Sequence, residues 1–268
     1  MSTAASLEGW AAGDASVESW SGKDRADENF PVGSMLIARA LRPHVHAFYA
    51  FARNADDIAD SPLLAPADKV ARLDVMQAVL LGETDAGSPS ALGLRGSLAA
   101  TGVTTRHATD LLVAFRRDAV KTRYADWDEL YDYCRYSAMP VGRHVLDLHG
   151  ENAGATYPAS DALCAALQVL NHLQDCAKDL AALDRCYLPL DLLRTTGAAV
   201  EDLRLPHETP PLRRATGDRR LRLETAVIVG LARRLATRLR YNDPLATRVK
   251  LSKTDMAGSL LAALRFLP

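Results

Sequence analysis

Apolar residues recur three and four positions apart along nearly the whole chain, and the alternating runs that would line one face of a strand are almost absent. That rhythm restricts the chain to an all-α fold. Helices are predicted over 32–42, 43–60, 67–82, 88–101 and 104–121, with Pro43 in a first turn, where its missing N–H costs nothing. A longer apolar pattern over 126–148 is predicted to kink or break at Pro140. Further helices are predicted over 159–183, 218–241 and 246–266, with short pieces between Pro189 and Leu205. The Pro- and charge-rich stretch LPHETPPLRRATG, 205–217, reads as a surface loop inserted between helices. With 268 residues, 48% of them hydrophobic, the chain can bury one large core. The expected organisation is a polar N-terminal segment, 1–27, followed by a single helical domain, 28–268.

Several function classes drop out early. The N-terminal stretch has no cationic start followed by an apolar core, and no apolar run approaches the roughly 20 residues that span a bilayer, so a cytoplasmic protein is expected. Cys134, Cys164, Cys176 and Cys186 lack C-x-x-C spacing and read as reduced, largely core thiols. Neither G-x-x-x-x-G-K-[ST] nor G-x-G-x-x-G occurs, which disfavours ATP and a Rossmann-bound dinucleotide, and no aromatic-interleaved basic motif argues for nucleic acid. Charge is uneven, +8 over 185–268 and −9 over the rest. Solvated helix faces account for this most simply; peripheral contact with an anionic inner-membrane leaflet, through Arg233, Arg234, Arg238 and Arg240, is the sharper reading.

NADDIAD, 54–60, places three aspartates at the end of an otherwise apolar helix, where the backbone already carries partial negative charge. Acid there needs a cation. At 3.6 residues per turn Tyr49, Arg53, Asp56 and Asp60 share one stripe, with Asp57 beside it. The helix containing QVLNHLQDCAKDL carries a second stripe, Gln168, Asn171, Asp175 and Asp179, while Leu163, Ala166, Leu170, Leu173 and Ala177 face roughly the other way. Either stripe alone is the polar face of an ordinary amphipathic helix. Together they are more telling, because they hold carboxylates, carboxamides and a phenol in place of the usual Lys/Glu mixture. If the two face each other, carboxylates about 4 Å apart repel by roughly 4 kcal/mol at an effective dielectric near 20, and a bound cation is required. An all-oxygen donor set favours Mg²⁺ over Zn²⁺, and Mg²⁺ commonly bridges few carboxylates to substrate phosphates, so a diphosphate ligand is expected. Without a nucleotide motif, a prenyl diphosphate fits best.

The blocks ENFPVGSMLIARALRPHVHAFYAFARNADDIAD, FRRDAVKTRYADWDELYDYCRYSAMPVGRHVLDLHG and LQVLNHLQDCAKDLAALDRCYLP, ordered between about Asp27 and Pro189, resemble the squalene/phytoene synthase family. Within it, ENFPV, NHLQDCAKD and RCYLP are most similar to the bacterial hopanoid-pathway branch that hydrates presqualene diphosphate. The resemblance implies a helical bundle of the class I isoprenoid synthase type with a central cavity, and Mg²⁺ bound by Asp56, Asp60, Asp175 and Asp179, with Asp57 adjacent. It implies diphosphate contacts from Arg53 and Arg185, and cavity positions for Tyr49, Phe30, Gln168 and Asn171. Tyr133 matches a tyrosine beside the carbocation.

Departures from the family pattern select a branch. Condensing members look to carry Arg-Asp where this chain has Gln174-Asp175, so a guanidinium is missing from the phosphate side. The segment VKLSK, 249–253, only faintly resembles the basic stretch used near NADPH. The expected reaction is therefore presqualene diphosphate plus water to hydroxysqualene plus diphosphate, with Tyr133, Gln168 or Asn171 holding the water, in functional coupling with other hopanoid-pathway enzymes. The competing expectations are first-step condensation of two prenyl diphosphates and a catalytically silent assembly protein. Phe48 and Phe51 are expected in the core, and Ser34, Ser137 and Gly142 are expected to allow close helix approach. Tyr136 and His172 are balanced between structural and functional roles.

Overall fold

The computed structural model describes residues 16–18, 37–216, 258 and 261. Among them every regular element is helical: α1 (Arg42–Asp60), α2 (Pro66–Leu81), α3 (Pro89–Thr101), α4 (Arg106–Val120), α5 (Trp127–Ser137), α6 (Met139–Leu148), α7 (Ala153–Leu183), α8 (Leu190–Thr196), a 3-10 turn (Val200–Arg204) and α9 (Pro210–Thr216). The chain divides into two compact units. The first comprises Met1–Lys121 and Arg143–Glu151, the second Thr122–Gly142 and Asn152–Pro268.

In the first unit α1 to α4 pack together around Phe51, Ile58, Leu73, Met76, Leu94, Leu111 and Leu112. Phe48 and Phe51 are core residues, as their place beside the acidic stripe predicts. Local signals set the helix limits. Pro66 opens α2 and Gly82, at φ 82°, closes it in the left-handed region. Ser88 caps α3, accepting from the Ala91 N–H at 3.2 Å. The polar N-terminal segment contributes more than a solvated tail. Val17 is buried in this core, and the Glu18 carboxylate accepts from Ser88 Oγ at 2.5 Å, Ser90 Oγ at 2.6 Å and the Ser90 N–H at 2.9 Å.

In the second unit a smaller core gathers Leu180, Cys186, Leu188, Leu193, Leu203 and Leu212. The segment after α7 runs alongside the one before α5: the Cys186 N–H donates to the Thr122 carbonyl at 2.9 Å and the Leu190 N–H to that of Tyr124 at 3.0 Å. Arg123 secures this pairing on Asp184 Oδ1 at 2.9 Å, just where α7 ends at a φ of 50°. Gly142, in α6, permits close approach to α7, since a Cβ there would lie 2.7 Å from Cys164 Sγ and closer still to Ser160 Oγ.

Four boundaries differ from the sequence reading. Residues 37–41, expected in a helix over 32–42, form a bend and a turn ahead of α1, with the Leu41 N–H donating to the Ala38 carbonyl at 2.9 Å. The pattern over 126–148 breaks at Ala138, so Pro140 sits in the first turn of a new helix. α7 starts at Ala153, six residues before the expected start, because Asn152 Oδ1 caps it at 3.1 Å from the Ala155 N–H and the helix absorbs the one missing donor of Pro158. The stretch read as a loop contains α9, with Pro210 and Pro211 as its first residues and Thr209 Oγ1 accepting from the Leu212 N–H at 3.3 Å. The helices expected over 218–241 and 246–266 lie almost wholly outside the described residues, as do Phe30, Ser34, VKLSK and the arginines from Arg233 to Arg240. No helix among the described residues is long and apolar enough to cross a membrane.

Candidate active site

The acidic end of α1 is built on a helix whose buried face is fixed by Val45, Phe48, Phe51, Ala55 and Ile58. No basic residue occupies its last turn. Cations reach it from elsewhere. Lys69, on α2, donates from Nζ to the Ala59 carbonyl at 2.8 Å, a favourable position for positive charge at a helix C-terminus. One to two turns back, Arg53 reaches Asp56 Oδ2 at 3.1 Å and Asp57 Oδ1 at 2.5 Å. Arg53 and Asp57 were both expected to face ligand; in the structure each is the other's partner, and the Asp57 side chain is only 3% exposed.

Asp56 is different. Its side chain is 36% exposed, yet burial of the remainder, followed by the Asp60 carboxylate one turn on, pushes it up to about 8, with Asp118 and Asp57 adding to this and Arg53 opposing. Asp118, a buried residue of α4, is a member of this acidic neighbourhood that the sequence stripes do not contain. Tyr49 is half-buried on the same helix.

In the second unit, Gln168, Asn171, Asp175 and Asp179 are all half-buried along α7. The face opposite is mixed: Ala166 is buried, whereas Leu170 is 39% exposed and Ala177 is exposed. Beside this helix stands an aromatic nest. The rings of Tyr124, Tyr133 and Tyr187 lie with every pair of centroids 5.4 Å apart, and His172 stacks on Tyr187 at 3.5 Å. Arg185, 5% exposed, donates from Nη1 to Tyr187 Oη at 3.2 Å, and Tyr133 Oη stands 3.5 Å from the same oxygen. Gln168 Nε2 lies 3.1 Å from His172 Nε2. Burial, then the Arg185 charge, holds His172 down at about 3, so its ring is neutral at ordinary pH.

Tyr187 and Tyr124 are site neighbours that the sequence reading did not single out. The signal for Tyr187 was present, because it stands two residues from Arg185 in the quoted RCYLP; Tyr124 enters only through the pairing of the two segments. All four cysteines are free, and burial raises Cys134, Cys176 and Cys186, so none of these three is a poised nucleophile.

The donor set suits Mg²⁺. Asp56 and Asp60 lie one turn apart, and burial, then the Asp60 charge, pushes Asp56 up, so the pair is one that a cation would relieve. Among the described residues no three carboxylate, imidazole or thiol groups form a ready cage.

Comparison with known proteins places this geometry in a family. Residues 23–218 match squalene/phytoene synthase. The chain is 46% identical over 265 residues to a hydroxysqualene synthase of Rhodopseudomonas palustris, covering 91% of this chain and 90% of that protein. It is 47% identical over 251 residues to a hydroxysqualene synthase of Sinorhizobium fredii, covering 86% and 85%. The solved squalene synthase HpnC from Alicyclobacillus acidocaldarius superposes with a TM-score of 0.64 at 34% identity, over 90% of this chain and 89% of that one.

Proposed function

This chain belongs to the squalene/phytoene synthase family and is an isoprenoid-diphosphate-processing enzyme, and from that premise we propose that it converts presqualene diphosphate and water into hydroxysqualene and diphosphate. The observation that carries the reading is the likeness to hydroxysqualene synthases along most of the chain; Gln174, where the family resemblance implies arginine in condensing members, agrees with it.

Asp56 and Asp60 in the first unit, and Asp175 and Asp179 in the second, would hold Mg²⁺, while Asp57 holds Arg53. When bound, the metal supplies Lewis-acid charge to the leaving diphosphate. The C–O bond then breaks with its electron pair departing on diphosphate, leaving a cyclopropylcarbinyl cation. Arg185 adds fixed positive charge for the diphosphate. Tyr133, Tyr124 and Tyr187 offer aromatic faces to the rearranging cation. A water held by Tyr133, Gln168 or Asn171 donates a lone pair to form the new C–O bond, and its proton passes to diphosphate or solvent. Peripheral contact of the basic C-terminal third with an anionic leaflet belongs to the same proposal, tested by salt-sensitive pelleting with vesicles.

Two incubations of the purified chain test the reaction. Chelation of Mg²⁺ should abolish diphosphate release from presqualene diphosphate, and release that persists undiminished refutes the metal role. Farnesyl diphosphate alone should yield no presqualene diphosphate; its formation would move the chain to the condensing branch.

A further inference from the structure

We propose that His172 is a positioning residue for water capture: through its contact with Gln168 it orients that carboxamide and so governs how much of the ionised substrate leaves as alcohol. This rests on the hydration reading above. His172 lies one residue beyond Asn171 and was legible only as a residue near the acidic face.

The imidazole is held from two directions. Its face lies 3.5 Å from the Tyr187 ring, tilted by 17°, and its Nε2 lies 3.1 Å from Gln168 Nε2. A carboxamide nitrogen can only donate, so the ring nitrogen must accept and the imidazole proton must sit on Nδ1. A protonated ring would set N–H against N–H. The low affinity of this half-buried ring for a proton keeps the acceptor available. With the Gln168 NH₂ committed to the ring, its Oε1 is turned away from it as the group that can accept from a water.

Tyr187, the surface on which the imidazole rests, is itself fixed. Its hydroxyl accepts from Arg185 Nη1 at 3.2 Å and stands 3.5 Å from Tyr133 Oη. The acceptor on Gln168 is thereby tied to a buried cation and to the tyrosine nest that would surround the carbocation. A plain alternative exists, since residues four apart on a helix often pair simply to support it. A product ratio separates the two, because helix support does not choose between water capture and proton loss.

The experiment uses the full chain with Mg²⁺ and presqualene diphosphate, measuring diphosphate release and the ratio of hydroxysqualene to hydrocarbon formed by proton loss. His172→Phe keeps an aromatic face on Tyr187 and removes the acceptor. It should release diphosphate within about threefold of the wild type and lower the alcohol-to-hydrocarbon ratio about tenfold, the loss expected for one hydrogen bond. His172→Gln, which places an amide near the Nε2 position, should restore most of the ratio. An unchanged ratio in His172→Phe overturns the proposal. Should that variant fail to fold, His172→Leu, which also removes the acceptor, should lower the same ratio, and an unchanged ratio there overturns the proposal. A wild-type enzyme that ionises the substrate without forming alcohol overturns the hydration reading itself, before any variant is compared.

Discussion

Asp56 and Asp57 are adjacent in sequence and opposite in energetics. Asp57 is buried against Arg53, so Asp57→Asn should destabilise the metal-free protein by about 2–3 kcal/mol, read as a lower midpoint in denaturant. Asp56→Asn should leave it equally or more stable, because it removes a carboxyl group whose ionised form burial, then Asp60, disfavours. The sign follows from proton linkage. Folded Asp56 keeps its proton up to about 8 whereas the unfolded chain ionises near 3.8, so Asp56 makes metal-free stability fall as pH rises between those values. The variant should lose that slope; thermal melts in chelator at pH 5 and pH 8 check it, and an equal slope in both proteins contradicts the assignment. His144 supplies the reverse limb. It is fully buried, stacked 3.9 Å from Phe48, with neither ring nitrogen hydrogen-bonded among the described residues. Burial, then His107, lowers it from 6.5 to about 4. Below pH 6.5 the unfolded chain takes up the proton first, so stability should fall by up to about 3 kcal/mol by pH 4. His144→Phe should flatten this acid limb in melts over the same range. The acidic stripe itself was legible, since spacing alone placed Asp56 and Asp60 together; the Arg53–Asp57 pairing was not, because periodicity gives a face and no rotamer.

At the level of elements, helix existence followed from apolar period and helix ends from caps, and the misses occur where the two signals conflict. Pro210 and Pro211 look like loop residues by composition, yet after a Thr209 cap they are suitable first residues of α9. Pro158 looks like a stop, but the Asn152 cap starts α7 ahead of it. The pairing of the segments around Arg123 and Cys186 leaves no periodic trace at all, and it brings Tyr124 beside Tyr187. Gly142 tests the packing of α6 on α7. Replacing a helical glycine by valine gains only about 0.3–0.5 kcal/mol of propensity, and the branched side chain would overlap Ser160 and Cys164, which outweighs it. Gly142→Val should therefore destabilise by about 1–3 kcal/mol in urea unfolding, and a neutral result would contradict the close contact.

For the whole molecule, all-α architecture was legible from rhythm, and the family from three ordered blocks that all fall within residues 23–218. Two compact units were not, because both are helical and composition does not change at Lys121 or Gly142. The proposed reaction assigns roles to residues in each unit, an acidic helix end in one and a carboxamide, imidazole and tyrosine nest in the other. The claim that unites them is capture of a carbocation by water. Purified chain, Mg²⁺ and presqualene diphosphate incubated in ¹⁸O-water without NADPH test it most directly, with products resolved by mass spectrometry. The account predicts hydroxysqualene carrying one ¹⁸O atom; hydrocarbon alone, or an alcohol with unlabelled oxygen, would contradict it.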